Sequence, residues 1–192
     1  MHEIVNNMLD MAKIDNDALQ MSWDKVSLGA LLSDLVGAVQ RQMGEREVAI
    51  HVSEGLSSLP FINGDSVWLK KIFEHLLLNG IKYTPDGGEI WVEGAVHGDE
   101  EAVEIQIKDS GIGIDLELQK LIFKKFYQTG EVALHSSGKM KFKGGGPGLG
   151  LAIARGVVEA HGGRLWVESE GCDEERLPGS TFFVVLPLQN LE

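Results

Sequence analysis

Apolar residues recur at helical spacing from the start of the chain. Ile4, Val5, Met8, Leu9, Met11, Ala12 and Leu19, with Asp10, Lys13 and Asp15 between them, predict a helix over residues 1 to about 21. Its apolar stripe needs a cover, either the chain's own domain or a second helix in a dimer interface. Leu28, Leu31, Leu32, Leu35, Val36 and Val39 predict a second helix from Leu28 to about Met43; the alternation of Val48, Ile50 and Val52 predicts a strand. A third helix is expected from Asp65, a good N-cap, to Tyr83, closed by the turn residues Thr84 to Gly88. Two strands follow, Glu89 to Val96 and Ala102 to Asp109, joined as a hairpin through residues 97–100.

After Asp109 the pattern turns irregular. Residues 110–113 read as a loop, and Leu116 to Tyr127 as one or two short helices. The polar, glycine-rich stretch 128–147 has no sustained period, and so long a loop in a compact domain points to a functional lid. A fourth helix is expected from about Gly148 to His161, then strands at Arg164 to Glu168 and Ser180 to Leu186. Together these elements predict the α+β class: a two-layer α/β sandwich, its mixed sheet covered on one face by helices. The central hairpin argues against a doubly wound parallel sheet.

Composition sharpens this picture. The 192 residues are 43% hydrophobic and 24% charged, enough for one substantial domain with an N-terminal extension. The formal net charge of −12 repels a phosphate backbone, so no nucleic-acid partner is expected; Lys139, Lys141 and Lys143 form a small basic run against that trend. Cys172 is the single cysteine, which points to a reducing compartment, the cytoplasm. No run approaches the roughly 20 apolar residues of a membrane span, and no signal peptide opens the chain, so no membrane contact is expected here. Met1 and Leu191-Glu192 read as additions, and the chain as a piece of a longer protein whose other parts could be membrane-anchored.

Three elements carry candidate chemistry. On the third helix, Leu69, Ile72, Phe73, Leu76, Leu77 and Gly80 form the core face, while His75, Asn79 and Lys82 share a flank within an arc of about 60°, with Tyr83 beside it. An amide oxygen suits magnesium and a lysine suits phosphate; alternatively this is a solvated flank. Asp109 has the parity of Val103, Ile105 and Ile107, so its carboxylate points inward at the strand's end, where it could meet an exocyclic amine such as adenine's or cap its own turn. The run Gly144 to Leu151 leads straight into a helix. It reads as a phosphate cradle of backbone amides or as a hinge.

In this order, these elements resemble the ATP-binding catalytic domain of sensor histidine kinases, within the ATPase group that includes gyrase and a heat-shock chaperone. The resemblance covers nearly the whole chain. His75 to Pro85 is similar to the N box, Asp109 to Gly113 to the first glycine box, Phe123 to Tyr127 to the F box and Gly146 to Leu151 to the second glycine box. Glu159 to Gly163 and Gly179 to Phe182 are similar to the family's tail, and Asn7 to Asp15 to the end of its dimerisation hairpin.

The resemblance implies ATP with Mg2+. Asn79 would hold the metal, Lys82 would contact phosphate, Tyr83 would flank the nucleotide and Asp109 would take the adenine amine. Gly148, Leu149 and Gly150 would offer amides, with Gly111, Gly113, Gly146 and Thr181 completing the binding set. Residues 1–22 would belong to the dimerisation hairpin and 23–190 to the catalytic domain, with 128–147 its ATP lid. The implied partners are the chain's own hairpin, a second copy and a response regulator.

Three positions depart from the family. His75 replaces the usual Asn, and either reaches phosphate or water or is structural; Pro147 removes an amide donor; Gln128 stands where many relatives have Arg. No histidine has the context of the family's phosphoacceptor, so this chain alone is expected to bind ATP without phosphorylating itself. The rival readings are a degenerate nucleotide-binding or dimer-scaffold module, favoured by His75 and Pro147, and a serine kinase of the anti-sigma type.

Overall fold

The computed structural model describes residues 2–16, 18–98, 101–127, 140, 142–143 and 148–188. The elements run α1 (His2–Asp15), β1 (Asp24–Val26), α2 (Leu28–Gln42), β2 (Ala49–Val52), β3 (Ile62–Gly64), α3 (Ser66–Tyr83), β4 (Glu89–His97), β5 (Ala102–Asp109), α4 (Gly150–Ala160), β6 (Arg164–Glu168) and β7 (Ser180–Pro187), with a 3-10 turn at Glu54–Ser58. β1 and β3 form a small antiparallel ladder; the main sheet has the order β2-β4-β5-β7-β6. Only β2–β4 is parallel within it, so the sheet is mixed, as the pattern predicts.

Alternation along the strands divides the sheet into two faces. Ile90, Val92, Val103, Ile105, Ile107, Phe182, Val184 and Leu186 are buried under the helices. They meet Leu32 and Leu35 of α2, the core face of α3 and Ile153, Val157 and Val158 of α4 in one continuous core. Each fully buried side chain of this size contributes about 1.5–3 kcal/mol, so the core needs no covalent staple. The opposite face carries polar and aromatic residues, among them stacked Trp166 and Phe183, with ring centroids 5.0 Å apart, and Lys108 over Trp91.

Local chemistry sets the helix starts. Ser27 Oγ accepts from the Ala30 amide, and Asp65 Oδ1 accepts from the Val67 and Trp68 amides, the N-cap role expected of it. His161, buried at the end of α4, accepts from the Asp65 amide through Nε2 and donates through Nδ1 to the Val157 carbonyl. It thereby pins the start of α3 to α4. Burial holds this imidazole below its ordinary pKa.

Two predicted elements differ. α1 ends at Asp15 rather than near residue 21, and Leu116 to Tyr127 forms consecutive turns rather than helices. The inward face of α1 also differs from its apolar stripe. Asn7, Asp10 and Met11 are buried, Asp10 pairs with Lys71, and Ile14 packs against Gly156 of α4. Ile4, Val5, Met8 and Leu9 are exposed. Among the described residues no helix is long and apolar enough to cross a membrane.

Candidate functional site

α3 presents its stripe as the helical period requires. Leu69, Ile72, Phe73, Leu76, Leu77, Gly80 and Ile81 are buried, while His75, Asn79, Lys82 and Tyr83 are half-buried along the edge. The Lys82 ammonium lies 5.2 Å from the centroid of the Tyr83 ring, an aromatic contact that leaves its positive charge available. The Asn79 amide has no hydrogen-bond partner among the described residues.

β5 ends on Asp109, which is 3% exposed. Its Oδ1 accepts from the Gly111 amide at 2.9 Å and its Oδ2 from the Ser180 hydroxyl at 2.6 Å. Burial pushes the carboxyl up from its ordinary pKa, while the bonds from Ser180 and Gly111 pull it down. The two carboxylate oxygens together offer about four acceptor sites, more than the donors from Gly111 and Ser180 fill, which leaves capacity for an incoming amine.

The glycines explain how closely the elements approach. A Cβ at Gly80 would stand 3.8 Å from Asp109 Cβ, so α3 lies directly over the end of β5. A Cβ at Gly111 would meet the Tyr83 carbonyl oxygen at 2.4 Å, and the Ile112 amide donates to that same oxygen at 3.1 Å. The loop after β5 therefore seats on the C-terminal end of α3.

α4 supplies the third element. No side chain caps its N-terminus, whose first amides lack partners within the helix. Gly148 before it has φ +67°, and a Cβ there would meet the Tyr127 carbonyl oxygen at 2.6 Å. A Cβ on Gly150 would stand 3.2 Å from His75 Nδ1, so the start of α4 rests on the α3 stripe. An uncapped helix start against the stripe that also carries Asn79 and Lys82 is suited to a polyanion.

His75, Asn79, Lys82, Tyr83, Asp109, Gly111, Gly148, Leu149 and Gly150 thus belong to one cluster of elements. Thr181 does not join it. Strand alternation places it opposite Lys108 and Glu168, on the face away from Asp109, and Ser180 is the residue that reaches the carboxylate. Gly113, with φ +75°, faces the β6–β7 loop, where a Cβ would meet the Gly171 carbonyl oxygen at 2.0 Å. Gly146, Pro147, Gln128, Lys139, Lys141 and most of segment 128–147 lie outside the described residues.

Sequence reasoning missed Ser180 and also Arg46, whose guanidinium donates to the Ile81 and Thr84 carbonyls at the C-terminal end of α3 at 3.1 and 2.6 Å. The parity shared with Phe182, Val184 and Leu186 points to the first; a lone arginine in a polar loop gives no signal for the second. Two surface cavities of about 420 Å³ each lie away from the cluster. One, on the open sheet face, is lined by His97, Glu104 and Trp166; the other, between α1 and α4, by Met11 and Phe123.

A helix-covered mixed sheet with a glycine-fronted helix against a polar helix stripe is the plan of an ATPase-type domain. The chain belongs to the family described as histidine kinase-, DNA gyrase B-, and HSP90-like ATPase, whose model matches residues 64–190. It is 29% identical to the sensor histidine kinase WalK of Bacillus subtilis, over 97% of this chain and 28% of that protein. It is 30% identical to the phytochrome-like protein Cph1 of Synechocystis, over 99% of this chain and 23% of that protein. The chain thus spans less than a third of these relatives' length. Among solved structures, the mycobacterial sensor histidine kinase MprB superposes with a TM-score of 0.67 at 28% identity, over 86% of this chain and 97% of that one. Full-length ShkA in complex with AMPPNP gives 0.75 at 26% identity, over 96% and 35%.

Proposed function

We propose that this chain is the ATP-binding catalytic part of a two-component sensor histidine kinase, acting on a histidine that the chain does not itself supply. The observation that carries this is the meeting of the α3 stripe, Asp109 and the uncapped start of α4, through Gly80 beside Asp109 and Gly150 on His75. Asp109 accepts the adenine amine, Tyr83 flanks the base, Lys82 faces the phosphates and the amides at Gly148 to Gly150 cradle them. Asn79 fits magnesium, a hard ion that takes few protein ligands beside phosphate and water, because its half-buried amide oxygen is not engaged by another described residue. When bound, that ion neutralises charge on the transferred phosphoryl group. The protein contributes position and a preorganised field.

Residues 128–147 act as the lid over this site, and residues 1–22 belong to a dimerisation hairpin. Ile4, Val5, Met8 and Leu9 face outward from α1, which supports pairing with the rest of that hairpin and with a second copy. A response regulator is the expected recipient of the phosphoryl group, and the whole protein works at the cytoplasmic side.

The test is incubation with gamma-labelled ATP. The full-length parent should gain acid-labile label, and this chain alone should gain none. Acid-stable label on the parent would point instead to a serine kinase. No label on the parent would favour a degenerate scaffold, a reading consistent with the His75 ring lying against Gly150.

A further inference from the structure

His75 and Asn79 stand one helical turn apart on the same flank of α3, and both are half-buried. Side chains at this spacing have Cβ atoms about 5–6 Å apart, close enough to share one ion. The start of α4 shows which part of the imidazole lies nearest the phosphate cradle. A Cβ on Gly150 would stand 3.2 Å from His75 Nδ1, 3.4 Å from its Cγ and 3.7 Å from its Cβ, so the Nδ1 edge of the ring lies toward the uncapped helix start. Nε2, on the far side of the ring, is shut off from solvent. Nδ1 is therefore the nitrogen placed between Asn79 and the cradle.

A nitrogen donor changes which ion this flank suits. Magnesium is small and hard, dehydrates reluctantly and takes oxygen ligands. The Asn79 amide offers such an oxygen, whereas the imidazole offers a softer nitrogen, which first-row transition ions bind more readily. One nitrogen beside an amide oxygen, phosphate oxygens and water is still a mostly hard, octahedral set. Among the transition ions, that set fits manganese, which shares the octahedral oxygen preference of magnesium. Zinc and copper favour tetrahedral or square-planar sites richer in nitrogen or sulfur.

We propose that His75 joins Asn79 in holding the divalent ion of the bound nucleotide and makes the site favour manganese over magnesium. The inference rests on the reading of the α3 stripe, Asp109 and the start of α4 as a nucleotide site. Three other histidines are placed elsewhere. His161 is buried against the N-cap of α3, and His51 and His97 pair with Glu89 and Glu104 on the open face of the sheet.

The experiment is calorimetric titration of a non-hydrolysable ATP analogue, with manganese and with magnesium, into the parent and into His75→Asn, which offers an amide oxygen instead. Any preference of the free nucleotide for one ion is common to both proteins and cancels in the comparison. The manganese-to-magnesium affinity ratio should fall about tenfold in His75→Asn. Pulsed electron paramagnetic resonance of the manganese complex should show a nitrogen coupling that changes when the parent carries histidine labelled with the heavy nitrogen isotope, and that disappears in His75→Asn. An unchanged ratio, or no histidine coupling in the labelled parent, would make His75 a packing residue and overturn the proposal. The labelled parent needs no substitution, so this outcome stays readable if His75→Asn fails to fold. A histidine coupling that persists in His75→Asn would assign the ion to another histidine and also overturn it. Failure of the parent to bind the analogue with either ion would overturn the nucleotide-site reading, and this inference with it.

Discussion

The start of α4 rests on a histidine: a Cβ on Gly150 would stand 3.2 Å from His75 Nδ1. That distance is tighter than ordinary van der Waals contact, so a methyl group at 150 must displace the imidazole. Alanine is the better helix former by about 0.5–1 kcal/mol, which works against this crowding. Gly150→Ala should therefore lower the thermal stability of the parent but be neutral or favourable in a His75→Ala background. The coupling expected for residues in contact is about 0.5–3 kcal/mol. Melts of the four proteins measure it, and equal effects in both backgrounds would show that the contact carries no energy.

Most of this arrangement was legible as periodicity. The α3 core face needed only a 3.6-residue repeat, and the inward aspect of Asp109 only the two-residue alternation of β5. What escaped depends on partners distant in the chain. β1 and β3 are three residues each and exist because Asp24 to Val26 finds Ile62 to Gly64. The resemblance implies Thr181 by its motif position, whereas the parity of β7 brings Ser180 to Asp109. The structural importance of Arg46 came from carbonyls and a carboxylate 35 to 94 residues away, which no local pattern reports. The helix expected to reach residue 21 stops at Asp15, and Ala18 closes it by donating to the Lys13 carbonyl.

Asp109 should trade stability for binding. Its carboxyl is held above the ordinary value of 3.8 in the folded chain, chiefly by burial. The folded state therefore binds its proton more tightly than the unfolded state. Stability from this group falls as pH rises from about the ordinary value through the raised one. Asp109→Asn keeps an acceptor for the Gly111 amide and removes the ionisation. Denaturant titrations should show a variant as stable as the parent or more so at neutral pH, without that slope. Its affinity for adenine nucleotides should drop at least tenfold, about 1.4 kcal/mol.

His161 should make the chain acid-sensitive in a different window. Burial holds its folded pKa below 6.5, so the unfolded state takes up the proton first. The stability it confers is complete above about 6.5 and is lost as pH falls towards the depressed folded value. His161→Phe leaves the Asp65 amide without its acceptor. It should cost about 1–3 kcal/mol at neutral pH and flatten this part of the pH profile. Urea melts from pH 7.5 to 5 would show both effects.

The exposed stripe of α1 should support self-association. Leu9 is 55% exposed among Ile4, Val5 and Met8. Sedimentation should reveal a reversible dimer, and Leu9→Glu should weaken it at least tenfold, about 1.4 kcal/mol. A parent chain that stays monomeric at high concentration would remove α1 from the interface.

The central claim is that the α3 stripe, Asp109 and the start of α4 form one nucleotide site. Calorimetric titration of a non-hydrolysable ATP analogue with magnesium into the parent, Asn79→Ala and Asp109→Asn tests it most directly. Saturable binding to the parent is expected, with a loss of at least tenfold in each variant and melts close to the parent's. Binding that survives both substitutions, or no binding to the parent, would contradict it.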